Sequence, residues 1–235
     1  MKRAVVLVAV MLFYFCVAGQ ASKRAYNNGN KRAEKRDYQK AIVFFTQAIR
    51  LDRFFTEAWY NRALAKSKLQ DYTGAIGDYT EAIALEPGFA FAYNNRGADR
   101  KELNDLGGAV SDYTKAIEID TAYARAYFNR GVVRLITGEY SSSISDFTKA
   151  LRSAPDMTDA WFNRGISKFK TGDHAGAIFD FSKVIELDPG YAKAYAKRGV
   201  AEIRISRTEE GWKDITKARE LGIVVTEEEL VTDRK

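Results

Sequence analysis

One interval governs this chain. The dipeptide Asn-Arg recurs at Asn61-Arg62, Asn95-Arg96, Asn129-Arg130 and Asn163-Arg164, each 34 residues after the last. A fixed period of this length decides the architecture, because a repeated unit this small buries its apolar face only by stacking on its neighbours. Counted from Ser22, six equal frames follow without insertion: 22–55, 56–89, 90–123, 124–157, 158–191 and 192–225.

Each frame reads as two amphipathic helices around a turn. In the second frame one helix runs through Trp59, Ala63 and Lys66, and the next through Ala75, Tyr79, Ala82 and Ile83. That spacing is helical, not alternating. Gly138, Gly172 and Asn104 stand where the first helix stops and suit a left-handed residue. Pro87, Pro155 and Pro189 fall at one place in their frames, just past the second helix. The eighth place is always small (Gly29, Ala63, Gly97, Gly131, Gly165, Gly199), and so is the twentieth. Bulky residues surround them: Trp59, Tyr93, Tyr127, Trp161 and Tyr195 in the first helix, and Phe45, Tyr79, Tyr113, Phe147 and Phe181 in the second. Small against large is the pattern of a layered, interlocked core.

These positions resemble the tetratricopeptide repeat family. Trp59, Ala63, Ala75, Tyr79, Ala82 and Pro87 match its pattern, as do Trp161, Gly165, Ala177, Phe181 and Pro189. The resemblance implies an all-α, right-handed superhelical solenoid of six helix-turn-helix repeats over 22–225, with a concave face that binds peptides. Two places depart from the family: the seventh is arginine instead of leucine, and the eleventh is Lys or Arg instead of tyrosine. The sixth frame is the least regular, with Gly211 and Ile215 replacing Ala and an aromatic, as a terminal unit tolerates.

The N-terminus reads as an export signal over 1–21. Lys2 and Arg3 precede an apolar run from Ala4 to Ala18, and Gly19-Gln20-Ala21 supplies small residues for a cut after Ala21, or after Gly19. As a helix the run reaches only about 22 Å, short of a hydrocarbon core of about 30 Å. A periplasmic or secreted protein is expected; a membrane-anchored one is the alternative if the segment is kept. Cys16 lies inside the run, so the cleaved chain has no cysteine and no disulfide. The segment 226–235 is a charged tail in which Thr226 and Glu229 suit a short capped turn.

The chemistry of catalysis is missing from the pattern. The single histidine, His174, takes the place held by Tyr38, Tyr72 and Tyr140 in other frames and reads as a packing substitute. No catalytic residue, metal site or cofactor is expected. The net charge of +6 is modest for this length. Basic residues interleave with aromatics, but the aromatics fall on buried faces, so nucleic acid is not an expected partner. A protein or peptide partner is expected; the oligomeric state stays open.

On a helical wheel the fourth, seventh, eighth and eleventh places share the buried face. Arginine there (Arg62, Arg96, Arg130, Arg164, Arg198) needs a partner, and the twenty-third place supplies Asp78, Asp112, Asp146, Asp180 and Asp214. Pairing inside each frame satisfies all five; pairing with the next frame strands Arg62 and Asp214. The alternative is two solvated residues that share a duplicated ancestor. The opposite stripe carries Asn27, Asn61, Asn95, Asn129 and Asn163, with Tyr60, Phe128, Phe162, Val132 and Ile166 beside them as open apolar groups. An amide both donates and accepts, so asparagines one frame apart suit an extended backbone. This row resembles the asparagine ladder in the repeat domain of protein-modifying N-acetylglucosamine transferases; the alternative is that each Asn bonds the neighbouring helix and sets the stacking. Family members that clamp a terminal carboxylate pair such asparagines with lysines, where this chain has Tyr26 and Phe91 beside Asn30, Asn61 and Asn95, so no such clamp is expected.

Overall fold

A computed structural model describes residues 19–223 and 226. The basic and apolar start over 1–18, Cys16, the end of the sixth frame at Val225 and all but Thr226 of the tail lie outside the described residues. Every regular element among the described residues is α-helical. The chain divides into two compact units, Met1–Ile119 and Asp120–Lys235.

In the first unit, α1 (described over 19–34) pairs with α2 (Tyr38–Leu51), α3 (Thr56–Lys68) with α4 (Tyr72–Leu85), and α5 (Ala90–Glu102) with α6 (Leu106–Ile119). In the second, α7 (Ala124–Ile136) pairs with α8 (Tyr140–Ser153), α9 (Thr158–Lys170) with α10 (His174–Leu187), and α11 (Ala192–Arg204) with α12 (Thr208–Glu220). Inside each unit the second helix of a hairpin also packs on the first helix of the next, so each unit is a short stack of helical hairpins.

The pairing follows from side-chain size. A Cβ built on Gly131 would lie 2.9 Å from the Phe147 ring, and one on Gly165 would lie 2.7 Å from Phe181. The eighth place is small because the ring of the twenty-fourth place lies against its backbone. Tyr79, Tyr113, Phe147 and Phe181 are accordingly buried. In the last hairpin both places are glycine, and a Cβ on Gly199 would sit 2.6 Å from the Gly211 carbonyl. There the two backbones meet directly.

The turns use one backbone device six times. Arg36, Gln70, Asn104, Gly138, Gly172 and Ser206 all have positive φ, and all occupy the fifteenth place. Only the glycines and Asn104 are recognisable from residue type; Arg36, Gln70 and Ser206 are held there by the hairpin. The next place starts the second helix. Asp37, Asp71, Asp105 and Asp173 each accept a backbone N–H three residues on, satisfying one of the open donors of the helix N-terminus. Glu139 and Arg207 occupy that place in α8 and α12 without a side-chain cap.

Candidate functional site: two faces of the first helices

From α3 onward, the first helix of each hairpin carries a paired-charge face and an open face; the first hairpin has Asn28 and Phe44 at the paired places. On the charged face, Arg62 Nε and Nη2 donate to Asp78 Oδ2 and Oδ1 at 2.7 and 2.8 Å. Arg96–Asp112, Arg130–Asp146, Arg164–Asp180 and Arg198–Asp214 repeat this two-pronged bond within their own hairpins. Each guanidinium also lies over the aromatic ring three residues earlier: Trp59, Tyr93, Tyr127, Trp161 and Tyr195. The aspartates are 8% exposed or less, and Asp180 is fully buried. A buried guanidinium is tolerable only when its donors are matched, and a carboxylate fits its planar fork.

Two further partners complete the web. Lys66, Arg100, Arg134 and Lys168, one turn on, bond the same aspartates at 2.7 to 3.0 Å. The remaining Nη1 of Arg62, Arg96, Arg164 and Arg198 donates to Thr46, Thr80, Thr148 and Ser182 of the preceding hairpin. The arginine therefore holds its own hairpin with the carboxylate and the preceding one with the hydroxyl. The hydroxyl at the twenty-fifth place was missed in the sequence although it recurs in all six frames.

The sixth hairpin breaks the web. Glu202 stands where the others have Lys or Arg, so Arg198 faces two carboxylates, Asp214 and Glu202. Burial raises the Glu202 pKa, and the Asp214 charge adds to the rise. Glu202 Oε2 is buried without a hydrogen-bond partner. A second uncompensated acid lies in the first unit. Asp99 accepts a hydrogen bond from Ser67 at 2.7 Å through one oxygen, while Oδ2 has none. Burial pushes Asp99 up to about 6, partly opposed by the Ser67 hydrogen bond.

The open face carries the asparagines, and the structure separates their roles. Asn61 Nδ2 donates to the Tyr26 hydroxyl and to Asn30 Oδ1, both on the preceding first helix, at 2.8 and 3.0 Å. Asn95 Nδ2 donates to the Tyr60 hydroxyl at 2.9 Å, and its carbonyl accepts from Asn94. Asn163 instead donates to the Asp159 carbonyl of its own helix. Asn27 is exposed, and Asn129 is half-buried. In the first unit the Asn61 and Asn95 amide donors thus join neighbouring helices, and of these two the Asn61 carbonyl is left for a ligand.

The apolar groups beside them are less open than the sequence suggested. Tyr60, Phe128, Phe162, Val132 and Ile166 are half-buried. Tyr60 packs on Tyr79 and Phe89, with ring centroids 5.8 and 4.6 Å apart, and Phe162 packs similarly on Phe181 and Tyr191. Phe128 rests on Phe147, and Val132 joins the same cluster. The fifth-place ring falls between rings of the twenty-fourth and thirty-fourth places, so its own hairpin covers one side. A recess of about 370 Å³ does open between α1 and α3. Its apolar wall is Ala33, Tyr38, Phe45, Leu64 and Ala65, and its polar rim is Asn30, Asn61, Glu34 and Lys68. It exists because the twelfth place is alanine here, where α7 and α9 carry Leu135 and Phe169.

Elsewhere, the His174 ring packs on Phe169 at 4.8 Å. Among the described residues no cluster of His, Cys, Asp and Glu is arranged to hold a metal, and no helix is long and apolar enough to cross a membrane.

Comparison with known proteins agrees with this architecture. Tetratricopeptide repeat profiles match residues 56–89, 124–157 and 158–191, and a TPR repeat profile matches 100–135. No curated protein matches the chain. Among solved structures, PilF of Pseudomonas aeruginosa superposes with a TM-score of 0.74 at 17% identity, over 87% of this chain and 93% of that one. PilW, described as a widely conserved type IV pilus biogenesis factor, gives 0.71 at 19% identity, over 91% and 98%. YrrB, described as a TPR protein with an unusual peptide-binding site, gives 0.69 at 22% identity, over 76% and 92%. These likenesses concern the fold. With the profiles together covering more than half of the sequence, the chain belongs to the tetratricopeptide repeat family.

Proposed function

We propose that this protein is an exported, non-enzymatic scaffold that binds an extended segment of a partner protein along the open face of its first helices. The observation that carries this reading is the recess between α1 and α3. It has an apolar wall, an amide rim and a volume of about 370 Å³, which suits one large apolar side chain. At its rim the Asn61 carbonyl has no partner, whereas its Nδ2 is engaged, so it accepts a peptide N–H. Backbone bonding of this kind selects for extended conformation, and the recess selects the side chain. YrrB, of the same fold, is described as having a peptide-binding site, and PilW as serving pilus biogenesis, which favours peptide binding in an envelope setting. Export rests on Lys2, Arg3 and the apolar run that follows them. Intact mass of the protein recovered from the envelope separates a cleaved product from a membrane-tethered one.

Ala33→Leu tests the recess. Leucine occurs at this place in α7, so the repeat accommodates it while the recess fills. Labelled peptides of Ser and Thr carrying one Leu, Phe or Trp serve as probes in fluorescence anisotropy. The expected result is binding of the Phe or Trp peptide and at least a tenfold loss, about 1.4 kcal/mol, in the variant. Equal binding of all peptides, or no change on filling the recess, sinks the reading.

A further inference from the structure

The open stripe of a first helix consists of its second, sixth, ninth and thirteenth places, which lie one above another at helical spacing. The recess between α1 and α3 shows the last three of these places on one face, through Asn61, Leu64 and Lys68. Charge along this stripe differs sharply between the units. In the first, Lys23 and Lys68 are offset by Glu34, Glu57 and Glu102. In the second, Arg125, Lys170, Lys193, Lys197 and Arg204 stand against a single acid, Asp159.

Four of those cations, Arg125, Lys170, Lys193 and Arg204, differ from the arginines of the charged face in their surroundings. Arg125, Lys170 and Lys193 are exposed and take part in no ion pair among the described residues. Arg204 is half-buried, and its Nε is shielded from solvent without a hydrogen-bond partner. Asp159 lies beside Tyr191, whose hydroxyl pKa is raised by burial first and then by the Asp159 charge. Between the cations the stripe is aliphatic, with Ile136 exposed and Val132 and Ile166 partly so.

We infer that the open face of α7, α9 and α11 binds an extended acidic segment of a partner protein, with Asp or Glu side chains on the basic places and apolar side chains between. This rests on the peptide-binding reading above and adds the partner's chemistry. Packed helices lie about 8–10 Å apart and an extended chain rises about 3.3 Å per residue, so one hairpin corresponds to about three residues. The matching segment therefore carries an acid about every third residue. A single-stranded nucleic acid is the other polyanion to weigh. It needs open rings for its bases to stack on, and Phe128 and Phe162 are instead half-covered by their own hairpins. Recognition here is of side-chain carboxylates, distinct from the terminal-carboxylate clamp that Tyr26 and Phe91 disfavour in the first unit.

The test uses the full chain and three labelled peptides of one length with identical apolar residues, whose every third residue is Glu, Gln or Lys. Expected is at least tenfold tighter binding of the Glu peptide than of the Gln peptide, no binding of the Lys peptide, and loss of the difference in high salt. The triple variant Lys170→Gln, Lys193→Gln, Arg204→Gln should bring the Glu peptide down to the Gln peptide's affinity. It should leave the Gln peptide and the helical circular dichroism unchanged. Equal binding of the Glu and Gln peptides overturns the acidic preference while the groove reading stands. Failure of every peptide overturns both. Equally tight binding of an oligouridylate, lost in the same variant, reveals a general polyanion surface and overturns the peptide assignment.

Discussion

The hairpins α9/α10 and α11/α12 share a backbone plan and differ in the charge beside their buried aspartate. In the first, Arg164 and Lys168 flank a fully buried Asp180, and every oxygen of that carboxylate has a cation. In the second, Arg198 still grips Asp214, but Glu202 replaces the second cation and Oε2 is left alone. The difference teaches that the arginine–aspartate pair persists when its second cation is lost, and that the eleventh place sets its electrostatic balance. A web of two cations and one anion matches its lone pairs at neutral pH. One cation and two anions does so only when a proton joins them.

The comparison breaks first at the aspartates. Asp180→Asn leaves two buried cations uncompensated and is expected to cost about 3–5 kcal/mol. Asp214→Asn relieves Glu202 as it weakens Arg198, so a loss of about 1–2 kcal/mol is expected. Urea unfolding followed by circular dichroism measures both. Equal losses would mean that the eleventh place does not matter.

Acidification sharpens it. The folded pKa of Glu202 is raised, so the unfolded chain releases this proton first as pH rises. Its contribution to stability falls as pH climbs from the ordinary glutamate value through the raised one, and returns on acidification. Asp99 behaves alike in a window from about 4, its ordinary value, to about 6, its folded value. Moving from neutral pH into that window should stabilise the first unit by about 1–2 kcal/mol, somewhat less than a two-unit shift implies because solvent screens part of the charge. Asp99→Asn and Glu202→Gln should each flatten the pH dependence of their own unit in hydrogen exchange. A slope that survives both changes would assign it to other groups.

The smallest expected effect concerns the turns. Gln70 holds φ of 64° at the place where Gly138 holds 82°. Gln70→Gly should stabilise by up to about 1 kcal/mol, since glycine enters the left-handed region without steric penalty. Gly138→Ala should destabilise by a similar amount. Thermal melts of the pair decide it, and a loss on Gln70→Gly would show that its side chain contributes more than its backbone strain removes.

Much of this was legible before any coordinates. The period placed the helices, the small eighth and twentieth places located their contact, and Arg62 with Asp78 suggested a pairing inside the frame. The asparagines were not resolved in the same way. Asn61 and Asn163 occupy the same place, yet one joins the neighbouring helix through the Tyr26 hydroxyl and the other bonds its own Asp159 carbonyl. What decides is the residue opposite, a tyrosine for Asn61 and phenylalanine, without a hydroxyl, at Phe128. The apolar face was misjudged for a related reason, because the rings covering Tyr60 lie on a second helix and on the loop beyond it.

By itself the sequence determined what repeats: hairpin length, the side each helix buries, and the five matched charges. These follow from local periodicity and from the cost of burying an unpaired ion, which act alike in every frame. Tertiary structure alone decided what differs between frames. It opened a recess at Ala33 and left Glu202 Oε2 buried without a hydrogen-bond partner. Each of these depends on which side chains of neighbouring helices meet across space, and contacts between helices carry no period that a single frame reveals.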